Sequence, residues 1–158
     1  MKVALSSDHR GFHAKEHVKS YLQTAGHAVV DHGCDSPSSC DYPDTALAGA
    51  TSVANGSAER GIFFCGSGIG MSMTANKVRG IRAALCHDEL TAEMSRRHNN
   101  ANVLCIPADL LGDELIRRVI DVWLRTEYEG GRHERRLQKI ARFEANGQCA
   151  PPPSNPPR

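Results

Sequence analysis

Gly61-Ile62-Phe63-Phe64-Cys65-Gly66-Ser67-Gly68-Ile69-Gly70 is the stretch on which the fold class turns. Its first half is uncharged and aromatic, as a strand buried on both faces must be, and helix-compatible sequence resumes at Met71. A buried strand that passes through a glycine-rich turn into a helix is the junction of a βα unit, and it predicts a parallel sheet. Such a turn also offers backbone N–H groups at the positive end of a helix dipole, which is an anion site. By itself, GSGIG is equally a tight strand-to-helix connection. Two neighbours favour a functional reading: Cys65 stands at the carboxyl end of the strand, where open α/β sheets hold ligands, and Ser67 puts a hydroxyl in the loop. The Lys-Ser/Thr ending of a P-loop is absent, and Met73 stands where a G-x-G-x-x-G motif needs its last glycine, so nucleotide phosphate binding is disfavoured.

The same alternation extends in both directions. Val3-Ala4-Leu5 reads as a strand. Phe12, Val18, Tyr21 and Leu22 recur between charged residues as one apolar helix face, which Gly26 ends. Ala28-Val29-Val30 is a second strand. A polar loop with Cys34, Pro37 and Cys40 follows, and Pro43 opens the next helix. Ile81 to Cys86 and Asn102 to Ile106 read as two further strands around a helix from Glu89 to Arg97. A long helix carrying Leu115, Val119, Ile120 and Trp123 follows Gly112, and Gly130-Gly131 separates it from a basic helix beginning near Arg132. The prediction is a single α/β domain over residues 1–145, built on a five-stranded parallel sheet with an extra C-terminal helix. Residues 146–158, NGQCAPPPSNPPR, hold five of the chain's eight prolines and no apolar periodicity, and are expected to be a disordered tail.

Composition limits the partners. Of 158 residues 40% are hydrophobic, which suits one compact core, and 19 Lys plus Arg stand against 18 Asp plus Glu. That balance lacks the positive excess that nucleic-acid binding requires. The longest stretch free of charge, Gly61 to Asn76, is too short and too polar to span a membrane. Six scattered cysteines with no C-x-x-C pair, and no signal-peptide pattern, predict reduced thiols in the cytoplasm. The charge is unevenly spread, because residues 125–142 carry six Lys or Arg against three Asp or Glu. A small anionic ligand fits this pattern.

Several residues carry chemistry in more than one reading. Cys65 at a helix N-terminus tends towards thiolate and can act as nucleophile or base, whereas Cys86 and Cys105 read as core residues. Asp8-His9 ends the first strand at the edge Cys65 occupies, and Asp8 is also a natural cap for the following helix. His98-Asn99-Asn100 ends a helix, where capping is sufficient explanation when it is taken alone. Arg132 and Arg136 share a helix face, and paired guanidinium forks match a phosphate dianion. The histidines outside these motifs have no metal-ligand spacing, so no metal site is predicted.

Asp8-His9, Asp41-Tyr42-Pro43, Cys65-Gly66-Ser67-Gly68-Ile69-Gly70, Ala75-Asn76-Lys77, His98-Asn99 and Arg132-His133-x-x-Arg136 together resemble the type B ribose-5-phosphate isomerases and their galactose- and allose-phosphate isomerase relatives. The match spans nearly all of residues 1–145. The resemblance implies a Rossmann-like three-layer α/β/α sandwich that forms a homodimer, and in some members a tetramer, with the active site shared between subunits. It implies cofactor- and metal-free interconversion of ribose 5-phosphate and ribulose 5-phosphate through a cis-enediolate, in the pentose phosphate pathway. Cys65 matches the base, Ser67 the hydroxyl that shuttles protons between O1 and O2, and His98 the acid that opens the furanose ring. Backbone N–H groups from Gly66 through Gly68 and Ile69 to Gly70 match the cradle for the enediolate. Asp8, His9, Tyr42 and Asn99 match sugar or phosphate contacts, with His98 and Asn99 coming from the neighbouring subunit. Arg132 and Arg136 match the phosphate clamp. Asp109 departs from the family, where many members carry an additional phosphate-contacting Arg. An isomerase of six-carbon sugar phosphates on the same fold is the alternative, and a non-catalytic sugar-phosphate-binding module a second one.

Overall fold

The computed structural model describes residues 1–146. Five strands, β1 (Lys2–Ser7), β2 (Ala28–Asp31), β3 (Arg60–Cys65), β4 (Ala83–Leu85) and β5 (Val103–Pro107), form one sheet in the order β2-β1-β3-β5-β4. All neighbouring strands pair in parallel. The helices are α1 (Phe12–Thr24), α2 (Tyr42–Ala54), α3 (Ile69–Ala75), α4 (Glu89–Asn99), α5 (Asp113–Arg125) and α6 (Arg132–Asn146).

The period-two alternation of the strands divides the core between the two sheet faces. Val3, Leu5, Ile62, Phe64, Leu104 and Ile106 pack with α1 and α5, against Leu22, Ile120 and the fully buried Trp123. Ala4, Phe63, Cys65, Val103 and Cys105 face the opposite way, against Ala46 and Ala50 of α2 and Met71 and Ala75 of α3. The result is the three-layer α/β/α sandwich expected. Among the described residues of α6, only His133 is buried.

The differences from the sequence reading are local. Strand β4 is shorter than Ile81–Cys86, and a side chain occupies its outer edge: the Asn76 Oδ1 accepts from Ala83 N–H and its Nδ2 donates to Ala83 O, each at 2.9 Å. Helix α3 starts at Ile69 rather than Met71, because Gly68 in the left-handed region (φ 72°) turns the chain directly into it. Helix α4 continues past Arg97 to Asn99, capped by Asp88, whose Oδ1 accepts Thr91 N–H at 2.7 Å, and closed by a left-handed Asn100. Lys15, which the pattern put among the polar positions of α1, is fully buried. Asn146, the first residue of the expected tail, completes α6, and the rest of that segment lies outside the described residues. No helix among the described residues is long and apolar enough to cross a membrane.

Candidate active site

All five strands point the same way, so their carboxyl ends share one edge, and a cleft of about 340 Å³ opens there. Asp8, Arg10, Tyr42, Cys65, Gly66, Ser67, Gly70, Asp109 and Leu110 line it. The β1–β3 register pairs Ser7 with Phe64, which sets Asp8 beside Cys65. The turn after β3 folds back on the thiol, so Gly68 N–H donates to Cys65 Sγ at 3.1 Å. Ile69 N–H points to Ser67 Oγ at 3.4 Å, which uses an oxygen lone pair and leaves the hydroxyl proton free for a ligand. Tyr42, at the start of α2, packs against Gly70, where a Cβ would come within 2.7 Å of its ring.

Asp8 is in part structural, but it does not cap α1 as its residue type suggested: the N-cap is Gly11, with no side-chain hydrogen bond. The Asp8 Oδ1 accepts the N–H groups of Arg10 and Gly11 at 2.9 Å each, and this turn launches α1. His9 is braced through Nδ1 against the backbone of Cys40, 3.3 Å from the carbonyl and 3.4 Å from the N–H. Arg10, an alternative phosphate contact in place of the Arg that Asp109 replaces, instead pairs with Asp109 across the cleft mouth, Nε to Oδ2 at 2.6 Å. Asp109 is held there by its own N–H, which donates to Gly66 O at 3.1 Å. A guanidinium neutralised in this way is not a free anion clamp.

The other predicted residues gather elsewhere. Helix α4 runs back from the β4 end of the sheet and finishes just before β5 begins, which puts His98 and Asn99 at the amino edge of the strands, opposite Cys65. The Asn99 carbonyl accepts Arg82 Nε at 3.2 Å. His98 stacks on His133 from the first turn of α6, with ring centroids 4.3 Å apart and planes within 6°. Glu129 lies 3.8 Å from the Nε2 of each ring, and Arg97 holds it through Nε to Oε1 at 2.6 Å. Arg132 Nε points to His133 Nε2 at 3.4 Å. Burial first, then the positive charges of His98, Arg132 and Arg136, hold the His133 imidazolium below its ordinary pKa. His133 thus packs on His98, and Glu129 lies beside both rings. The sequence did contain their signal, a Glu and a His four residues apart beside the arginine pair. The donor atoms of His98, Glu129 and His133 lie within 4.8 Å of one another. Arg97 and Arg132 both reach into that group, and this favours an anion over a cation.

The chain therefore carries two separate clusters of polar side chains. One offers a thiol, a hydroxyl and a carboxylate in a cleft, suited to moving protons on a small polar substrate. The other offers imidazoles and guanidiniums, suited to an acid step and an anion. They stand at opposite edges of one sheet.

Comparison with known proteins gives a consistent result. The Ribose/Galactose Isomerase family model matches residues 3–140. Ribose-5-phosphate isomerase B of Escherichia coli is 41% identical over 143 residues, covering 90% of this chain and 96% of that protein. D-erythrulose-4-phosphate isomerase of Pectobacterium atrosepticum is 39% identical over 145 residues, covering 91% and 95%. The crystal structure of ribose-5-phosphate isomerase B from Mycoplasma genitalium, with bound ribulose-5-phosphate, superposes with a TM-score of 0.87 at 40% identity and covers 91% of this chain and 96% of that one.

Proposed function

Because the chain belongs to the ribose/galactose isomerase family, and is an aldose-ketose isomerase on that ground, we propose that it interconverts ribose 5-phosphate and ribulose 5-phosphate at a site shared between two copies. The single observation that carries the reading is the cleft at the carboxyl edge, in which Cys65 and Ser67 line one wall together. Removal of a proton next to a carbonyl needs a positioned base and a donor for the oxygen that gains charge. Cys65, as thiolate, takes the proton from C2 and returns it to C1. Ser67 passes a proton between O1 and O2, and the amides of the Gly66–Gly70 turn stabilise the enediolate. Asp8, His9 and Tyr42 orient the sugar.

The remaining groups come from the second copy. His98 and Asn99 stand at the opposite sheet edge from Cys65, so one chain cannot bring them to the same substrate. In the shared site His98, held by Glu129 and His133, protonates the ring oxygen, and Arg132 and Arg136 hold the phosphate. The Arg10–Asp109 pair contributes no net charge, so the attraction for phosphate rests on α6. All steps use acid-base groups of the chain itself.

The substrate is tested with a panel of ribose 5-phosphate, D-erythrulose 4-phosphate, allose 6-phosphate and galactose 6-phosphate. Ribose 5-phosphate is expected to give the highest kcat/KM, and a preference for any of the others overturns that assignment. The shared site makes a separate prediction. Cys65→Ala and His98→Ala proteins, each inactive alone, are unfolded together and refolded as a mixture. Half of randomly formed dimers are mixed and each holds one intact site, so about a quarter of wild-type activity should return. If the mixture stays inactive, both groups serve within one chain.

A further inference from the structure

The connector between β2 and α2 holds two thiols that the isomerase reading does not use. Cys34 is fixed from one side, its N–H donating to Ser7 O at 2.9 Å and lying 3.3 Å from Ser7 Oγ. Cys40 is fixed from the other, with its backbone N–H and carbonyl both against His9 Nδ1. The segment between them curls back, so the Cys34 thiol donates to Ser38 O at 3.9 Å. Ser38 is two residues from Cys40, so this curl sets the Cys34 side chain beside Cys40, and that neighbour is one cause of the raised Cys40 pKa. Both residues are only half-buried, whereas Cys65, Cys86 and Cys105 are buried. Burial also pushes the Cys86 and Cys105 thiols up, which makes them poor nucleophiles.

We propose that Cys34 and Cys40 form a reversible disulfide in response to hydroperoxide, and that this bond weakens substrate binding by displacing the backbone that braces His9 and leads into Tyr42. The second half rests on the reading that His9 and Tyr42 touch the sugar. Cys34 reacts first, because burial and the contact with Cys34 push the Cys40 thiol up to about 11. The Cys34 thiolate attacks one peroxide oxygen; an S–O bond forms, the O–O bond breaks and hydroxide leaves, giving a sulfenic acid. The Cys40 sulfur then attacks the Cys34 sulfur, the S–S bond forms, the S–O bond breaks, and the hydroxyl departs with the Cys40 proton as water. In total, two thiols and one hydrogen peroxide give one disulfide and two waters, the sulfurs being oxidised and the peroxide oxygens reduced. Cys40 lies two residues before Tyr42 and in contact with His9, so drawing its side chain onto Cys34 moves the support of both.

The test treats the full-length protein with hydrogen peroxide near equivalence, then reads disulfides by peptide mapping and kinetics with ribose 5-phosphate. A Cys34–Cys40 cross-link and a severalfold higher KM with little change in kcat are expected, both reversed by dithiothreitol and both absent from Cys34→Ser and Cys40→Ser. Overturning results are no cross-link, a cross-link to another cysteine such as Cys149, or a cross-link with KM unchanged. A fall in kcat shared equally by wild type and both serine variants would identify Cys65 as the oxidised residue and would also overturn the proposal. The cross-link is read by mass whether or not ribose 5-phosphate is turned over, so failure of the functional reading is separately visible.

Discussion

Cys65→Ala is expected to lower kcat by roughly 10³-fold while changing KM little, the loss that follows removal of a general base acting in the transition state. The side chain is small and 4% exposed, and its removal also takes the acceptor from Gly68 N–H, so this variant combines a catalytic with a structural loss. Cys65→Ser separates the two causes. A serine hydroxyl still accepts from Gly68 N–H and keeps the turn, but as a base it is far weaker than a thiolate. Both variants are therefore expected to be inactive with unchanged thermal unfolding for Cys65→Ser. Solvent-deuterium incorporation at C2 of ribose 5-phosphate is a second readout, and it should vanish with turnover. Near wild-type kcat in either variant would remove Cys65 from the role of base.

The parts of this protein that were legible in its sequence are those where local chemistry and tertiary need coincide. Gly61 to Gly70 announces a buried strand, a tight turn and a helix because each residue there satisfies its own backbone as well as the sheet. The start of α4 at Glu89 and the break at Gly130-Gly131 belong to the same kind. What was not legible depends on partners distant in the chain. Asn76 caps the edge of β4 through its amide, and nothing in the strand itself signals that the edge is taken. Arg10 and Asp109 are ninety-nine residues apart and meet only because β1 and β5 flank β3. The site follows the same division. Cys65, Ser67, Asp8 and Tyr42 are brought together by the carboxyl edge, which parallel topology predicts. His98 and the α6 arginines lie at the other edge, and periodicity alone carries no information about what meets them there.

Lys15 is the clearest case of a residue the pattern misplaces, and its pairing yields the largest stability effect expected here. Its ammonium is fully buried and meets both Asp31 oxygens at 2.8 Å and Glu16 Oε1 at 2.9 Å. Lys19 adds a contact to Asp31 Oδ2 at 2.7 Å, and Gly33 N–H donates to Oδ1 at 3.1 Å. Asp31→Ala strands the buried charge with only the more exposed Glu16 as partner, and breaking a buried pair from one side costs about 3–5 kcal/mol. The lower end is expected, since Glu16 remains, and urea unfolding measures it as a shift in midpoint at unchanged slope. Replacing both partners, Lys15→Met with Asp31→Asn, removes charge and counter-charge together and should recover most of that loss. A double variant as unstable as Asp31→Ala would mean that the site acts through packing alone. The pH dependence has a definite sign. Burial acts to raise the Asp31 pKa, but the hydrogen bonds from Lys15, Lys19 and Gly33 outweigh it and hold the carboxyl below its ordinary value. A group whose folded pKa is depressed stabilises fully above its unfolded pKa and loses that contribution as pH falls through the folded one. Wild-type stability should therefore decline from near pH 4 downward, and the double variant, which lacks the titrating group, should decline less steeply over the same range. Parallel acid limbs in the two proteins would show that other carboxylates, not Asp31, set the acid sensitivity.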